Sequence, residues 1–175
     1  MNKYLNTTLL YGIFGGLACF VWFISVYYSG ANAFYSFPQK LVILVQGTVV
    51  YLGIRYHRSK YSTEEFSFAE GIFTGLCISL ALSIISSLFM YIFSQYIHPE
   101  MVAAHVEELK KYLLLNKEEL IKQSSVEVYE GNFKNVNGVT AYTLMLDELI
   151  WKMIRGLMFS ILASLTLRRQ KESAV

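Results

Sequence analysis

Between Glu70 and Ser87 the chain reads EGIFTGLCISLALSIISS. A carboxylate heads the stretch, no charge follows it, and small residues return at every fourth position: Gly71, Gly75, Ser79, Ser83 and Ser87. On a helix of 3.6 residues per turn, steps of four drift by about 40° each, so the row winds as one inclined ridge. Small-residue ridges let two helix backbones approach closely, and in lipid they suit a right-handed crossing near about −40°. The expected packing seam joins this row to Gly12 and Gly16, which are also four apart and lie toward the same end of their helix. At the head, Ser67-Phe68-Ala69-Glu70 has the form of a capping box, with Ser67 taking one free backbone N–H and Glu70 reaching back to another.

The apolar character extends on both sides of this stretch, from about Ser67 to Ile97. Three more such segments are present, at about 7–28, 38–56 and 141–167. A membrane-crossing helix needs roughly 20 mostly apolar residues, and all four segments approach or exceed that. The composition agrees. Hydrophobic residues make up 54% of the 175-residue chain and charged residues only 16%, against about 25% charged in an ordinary soluble domain. Mean hydropathy is +0.40. The fold class expected is an all-α integral membrane four-helix bundle, one domain over residues 1–175. The first segment also admits a signal-peptide reading, with Ala31-Asn32-Ala33 as the cleavage site. Its apolar run is long for an h-region of about 7–15 residues, and Gly12, Gly15 and Gly16 favour a retained helix.

Basic residues set the orientation. Lys3 precedes the first segment, Arg55, Arg58 and Lys60 lie between the second and third, and Arg168, Arg169 and Lys171 follow the fourth. The loop from Ser29 to Phe37 is uncharged. By the positive-inside rule both termini are cytoplasmic. Residues 98–148 then face outward, with five lysines against nine acids. Val102, Val106, Leu109 and Leu113 recur at helical spacing, Pro99 suits a helix start, and Asn116 with Glu119 reads as a second capping box. Gly131, Asn132, Asn135, Asn137 and Gly138 mark a loop, and Thr140 caps the last helix. The expectation is an amphipathic helical hairpin over about 99–139. It either packs over the helix ends or docks a periplasmic partner.

Charge inside the fourth segment is the main functional lead. Glu148, Lys152 and Arg155 share one helical face. Counting about 1.5 Å per residue from Leu167, Arg155 lies roughly 18 Å deep and Lys152 roughly 22 Å. Lys40 reaches a similar depth in the second segment. A charge at mid-depth costs at least roughly 2.5–3.5 kcal/mol, so such groups face protein, water or a partner. Lys40, Lys152 and Arg155 therefore form a candidate site for a small anion or anionic lipid headgroup, or else snorkel to Asp147, Glu148 and headgroups. Gln46 reads as an interhelical hydrogen-bonding residue.

Other chemistries find little support. His57, His98 and His105 read as solvated, without the spacing of a metal site. Cys19 and Cys77 read as small buried hydrophobes. No serine elbow, phosphate-binding glycine loop or His-Glu-x-x-His is present, and a net charge of +2 does not suggest nucleic acid. A non-enzymatic membrane component is expected. It needs no cofactor, its partners are the bilayer and either a second copy or a membrane or periplasmic protein, and it is assembled by small-residue helix packing.

Four short motifs carry a family resemblance: Tyr11-Gly-Ile-Phe-Gly-Gly16, Phe66-Ser-Phe-Ala-Glu-Gly-Ile-Phe-Thr-Gly-Leu76, Tyr96-Ile-His-Pro99 and Leu167-Arg-Arg169. With them the chain resembles the bacterial membrane family called domain of unknown function 4199. Members commonly have a polar or basic residue where Ala69 stands. The resemblance implies a small multi-pass inner-membrane protein, with no assigned activity and no catalytic residue to carry over.

Overall fold

A computed structural model describes residues 3–61 and 65–168. Arg169 and Lys171, two of the basic residues used for orientation, lie outside the described residues. The chain is helical: α1 (Lys3–Tyr28), α2 (Phe37–Lys40), α3 (Val42–Tyr61), α4 (Phe68–Ile92) running into a π-helical turn (Phe93–Ile97), α5 (Glu100–Leu115), α6 (Lys117–Gln123), α7 (Val126–Val136) and α8 (Ala141–Leu167). Four stretches are long and apolar enough to cross a membrane: Lys3–Tyr28, Phe37–Tyr61, Phe68–Ile97 and Ala141–Leu167.

Local chemistry sets the helix ends. Gly30 follows α1 with φ of 81°, a left-handed conformation that costs glycine little. Its N–H closes the helix on the Tyr27 carbonyl at 3.0 Å. Pro38 sits in the first turn of α2, where a missing N–H is harmless. The second span reaches Tyr61 rather than stopping near Tyr56. Arg58 and Lys60 occupy its last turn, where cations complement the helix dipole, so the basic run prolongs the helix. The π-turn closes with the His98 N–H on the Phe93 carbonyl at 2.9 Å, just ahead of Pro99.

The described chain forms two compact units, residues 1–89 with 146–175, and residues 90–145. In the first, the long helices alternate in direction. Along α1 and α3, Gly15 faces Val49 and Tyr11 faces Gly53, so these helices are antiparallel. Gly12 faces Ala81 and Gly16 faces Ile85, so α1 and α4 run parallel. Gly71 faces Ser164 and Gly75 faces Ser160, so α4 and α8 are antiparallel. One buried cluster joins Val50, Ile54, Phe66, Ile78, Ala163 and Leu167. Another joins Cys19, Val42 and Leu82, with Trp22 against it. Residues of α1, the helix that a signal-peptide reading would remove, thus belong to the core, and Ala33 of the supposed cleavage site is buried.

The second unit holds three helices rather than a two-helix hairpin with a glycine-asparagine loop. Ser125 starts α7 by accepting the Val128 N–H at 3.2 Å. Gly131, Asn132 and Asn135 then fall inside α7, and the turn is left to Asn137 and Gly138. Tyr129, Phe133 and Val136 form an inward stripe; Tyr129 and Val136 are buried, while Gly131, Asn132 and Asn135 lie on the exposed side. A sequence of loop-forming residues is helical here because its apolar residues recur at helical spacing. Asn116 makes no cap bond to α6. Its side-chain amide donates instead to the Tyr112 carbonyl at 2.8 Å, so it closes α5. Thr140 does cap α8, accepting the Thr143 N–H at 3.2 Å. In α5, Val102, Val106, Leu109 and Leu113 are half-buried, and the deepest residues are Met101 and His105.

Candidate functional site

Lys152 is the centre of the best-defined polar constellation. Its side chain is 2% exposed, and its ammonium lies 2.7 Å from Glu148 Oε1, one turn earlier on α8. It also donates across to Ser86 Oγ of α4 at 2.6 Å. Gln46 of α3 donates to the Lys152 carbonyl at 2.6 Å. Three helices are thus tied at one level. Arg155 sits on the same face of α8, with Nη2 3.4 Å from Glu148 Oε2 and Nε donating to the Trp151 carbonyl at 3.1 Å. Glu148 thereby serves two cations.

A lysine taken out of water is costly unless paired and hydrogen-bonded, and Lys152 is both. Two cations and one carboxylate leave a formal charge of +1 on the cluster. Polar groups continue beside it. Gln46 Oε1 and the hydroxyls of Ser79 and Ser87 are buried and make no hydrogen bond among the described residues. The cluster can therefore bind helices to one another and still attract an anion toward the partly exposed Arg155 side chain.

Lys40 is not part of this site. It is exposed at the end of α2, and Gln46, which is level with Lys152, lies about 9 Å further along at 1.5 Å per residue. Equal depth counted along two helices does not bring two side chains to the same face.

A second constellation ties the start of α1 to the end of α3 and the head of α4. Ser67 Oγ accepts the Glu70 N–H at 3.1 Å, as a cap requires. Glu70 does more than head the helix. Its carboxylate takes the Lys3 ammonium at 2.8 Å and faces His57 Nε2 at 3.4 Å. His57 is fully buried, not solvated. Its Nδ1 lies 3.0 Å from Thr7 Oγ1, and its ring stacks on Tyr4 with centroids 4.9 Å apart. The Thr7 hydroxyl also donates to the Lys3 carbonyl at 3.2 Å, and the direction of its contact with Nδ1 follows the imidazole tautomer. The order Thr7–His57–Glu70 imitates a nucleophile, base and orienter. The Thr7 hydroxyl is fully buried, however, which suits packing rather than attack on a substrate. His57 continues the buried stripe Val42, Gln46, Val50, Gly53 and Ile54. That spacing was the available signal, hidden by ending the helix at Tyr56.

The small-residue row meets a different partner from the one expected. A methyl group placed on Gly71 would fall 2.8 Å from Ser164 Cβ of α8. Gly75 abuts Ser160, and Gly156 of α8 abuts Ser79. Ser83 and Ser87 are fully buried further along α4. Gly12 and Gly16 pack on Ala81 and Ile85, a neighbouring row of α4, rather than on Gly71 and Gly75. The two rows are both packing surfaces, but each is matched to a different helix.

Four long apolar helices with paired charges between them define a polytopic helical architecture. The chain belongs to the family described as Protein of unknown function (DUF4199), whose family model matches residues 10–169. No curated protein and no solved structure matches it.

Proposed function

We propose that the protein is a multi-pass membrane component of the inner (plasma) membrane, with both termini cytoplasmic, acting as a non-enzymatic accessory or scaffold subunit. The observation that carries this reading is that the small-residue rows and the most deeply buried charges are matched within the chain. Its small-residue rows are occupied by helices of the same chain, and Lys152 and Glu148 pair with each other. Much of what remains outward on the long helices is apolar, including Phe14, Val21, Leu44, Leu88, Trp151, Met158 and Leu162. Apolar surface on this scale needs a bilayer or a membrane partner to cover it. Self-assembly through the small-residue rows loses its surface, so a second copy or another protein would dock on these outward faces or on residues 90–145.

A second reading keeps the anion or lipid-headgroup site, now on Lys152 and Arg155 without Lys40. The charge of +1 on the cluster and the 21% exposure of Arg155 favour it. The substitution Arg155→Leu separates the two. It removes the excess positive charge of the cluster and leaves the buried Lys152–Glu148 pair intact. If the variant folds and supports the cell as the parent does, the scaffold reading stands. If it folds but fails, the anion reading takes its place. Orientation is tested with single cysteines at Ser59 and Asn132 in a background lacking Cys19 and Cys77. The two must label from opposite sides of the membrane.

A further inference from the structure

We infer that α5, α6 and α7 form a binding site for an organic monoanion with a flat apolar body, such as an aromatic carboxylate. The three helices border an open groove of about 450 Å³, within the roughly 300–1,000 Å³ of small-molecule sites. Leu114, Tyr129 and Phe133 line it. Tyr129 and Phe133 are one turn apart on α7, with ring centroids 6.3 Å apart and planes 27° from parallel. They form a near-parallel aromatic pair. Tyr129 is largely buried, so the pair is held by packing and needs little reordering to receive a ligand.

The rim supplies the charge. Lys117, Lys134 and Glu130 also line the groove, and none of them is ion-paired among the described residues. The Lys117 ammonium stands over the Tyr129 ring, 5.7 Å from its centre, which puts a positive charge against the aromatic lining. Two lysines and one glutamate leave one positive charge, which a single carboxylate cancels. A dianion would meet Glu130 unfavourably, a cation would meet both lysines, and a neutral ring would leave the ammoniums unpaired. A charge-assisted hydrogen bond to a carboxylate is stronger than one to a neutral oxygen, so a monoanion gains most. An ordinary solvated helix face accounts for the lysines but not for the aromatic pair that lines the same groove.

The test uses the full chain in nanodiscs of zwitterionic lipid, with 1-naphthoate as probe and saturation-transfer NMR as readout. Empty nanodiscs correct for partitioning. Saturable binding of 1-naphthoate is expected, with the isosteric neutral 1-naphthalenemethanol weaker by about tenfold, the scale of one charge-assisted bond. The double variant Lys117→Gln/Lys134→Gln changes only exposed side chains, and it should abolish the preference for the anion. Equal binding of acid and alcohol, an unchanged double variant, or no saturable signal above empty nanodiscs would each overturn the assignment.

Discussion

Lys152 reaches from α8 to Ser86 on α4, donating its ammonium hydrogen at 2.6 Å from a side chain that is almost wholly buried. With Glu148 2.7 Å away on its own helix, this lysine is a polar rivet between two helices whose remaining contact is made of small residues. Removing one partner should leave the other charge buried and unpaired. Glu148→Ala is expected to destabilise the bundle by about 3–5 kcal/mol, whereas Lys152→Met combined with Glu148→Leu should cost much less. Denaturation in mixed micelles across the double-mutant cycle measures this. Additive single effects would show that the two residues do not act as a pair.

Close approach of α4 and α8 depends on the absence of side chains at Gly71, Gly75 and Gly156. A methyl group on Gly156 would overlap the Ser79 side chain. Gly156→Ala should therefore destabilise by about 1–3 kcal/mol, the usual range for overpacking. Adding Ser79→Gly should restore part of the loss. Thermal unfolding of the two variants provides the comparison, and no rescue by Ser79→Gly would place the strain elsewhere.

Glu70 separates two roles that share one residue. A capping box accepts Gln as well as Glu, but the observed contacts are a charge pair with Lys3 and a contact with His57. Glu70→Gln is therefore expected to cost about 1 kcal/mol, modest because Lys3 is 40% exposed and such pairs are screened. Ser67→Ala should cost about 1 kcal/mol for the lost cap bond. Equal stability of Glu70→Gln and the parent in thermal unfolding would show that the charge adds nothing to the cap.

The second unit carries its own pH dependence. Burial holds the His105 imidazole below its ordinary value of 6.5, while Glu108 nearby acts in the opposite direction. A histidine with a lowered folded value binds its proton more readily when unfolded. Its contribution is complete above about pH 6.5 and is lost as pH falls below that toward the lowered value. Hydrogen-exchange protection of α5, corrected for intrinsic rates, should drop on acidification, and His105→Gln should flatten the change. Protection that rises on acidification would reverse the sign of this account.

The four long helices were legible because apolar runs of this length have few alternatives, and the fourth was read with its observed ends. What the sequence hid were pairings. A row such as Gly71-Gly75-Ser79 announces a close helix contact without naming the partner, since Gly12 and Gly16 carry the same spacing as Gly156 and Ser160. Depth counting placed Lys40 near Lys152, but depth is one coordinate and a shared face needs another. His57 is hidden for a physical reason: a polar residue near a helix end looks solvated until a third helix, here the start of α1, covers it. In α7 the turn-forming residues lie on the open side, where they do not interrupt the helix.

The central claim is that the small-residue rows of α4 and α8 close on each other within one chain. Cysteines at Gly71 and Ser164, in a background lacking Cys19 and Cys77, test it directly, with a protease site inserted at Gly138 between the two helices. A methyl group at Gly71 would sit 2.8 Å from Ser164 Cβ, close to the Cβ separation of roughly 3.5–4.5 Å that a disulfide spans. Oxidation should give a monomer whose two fragments stay joined after cleavage until reductant is added. A disulfide-linked dimer, or fragments that separate without reductant, would contradict the account.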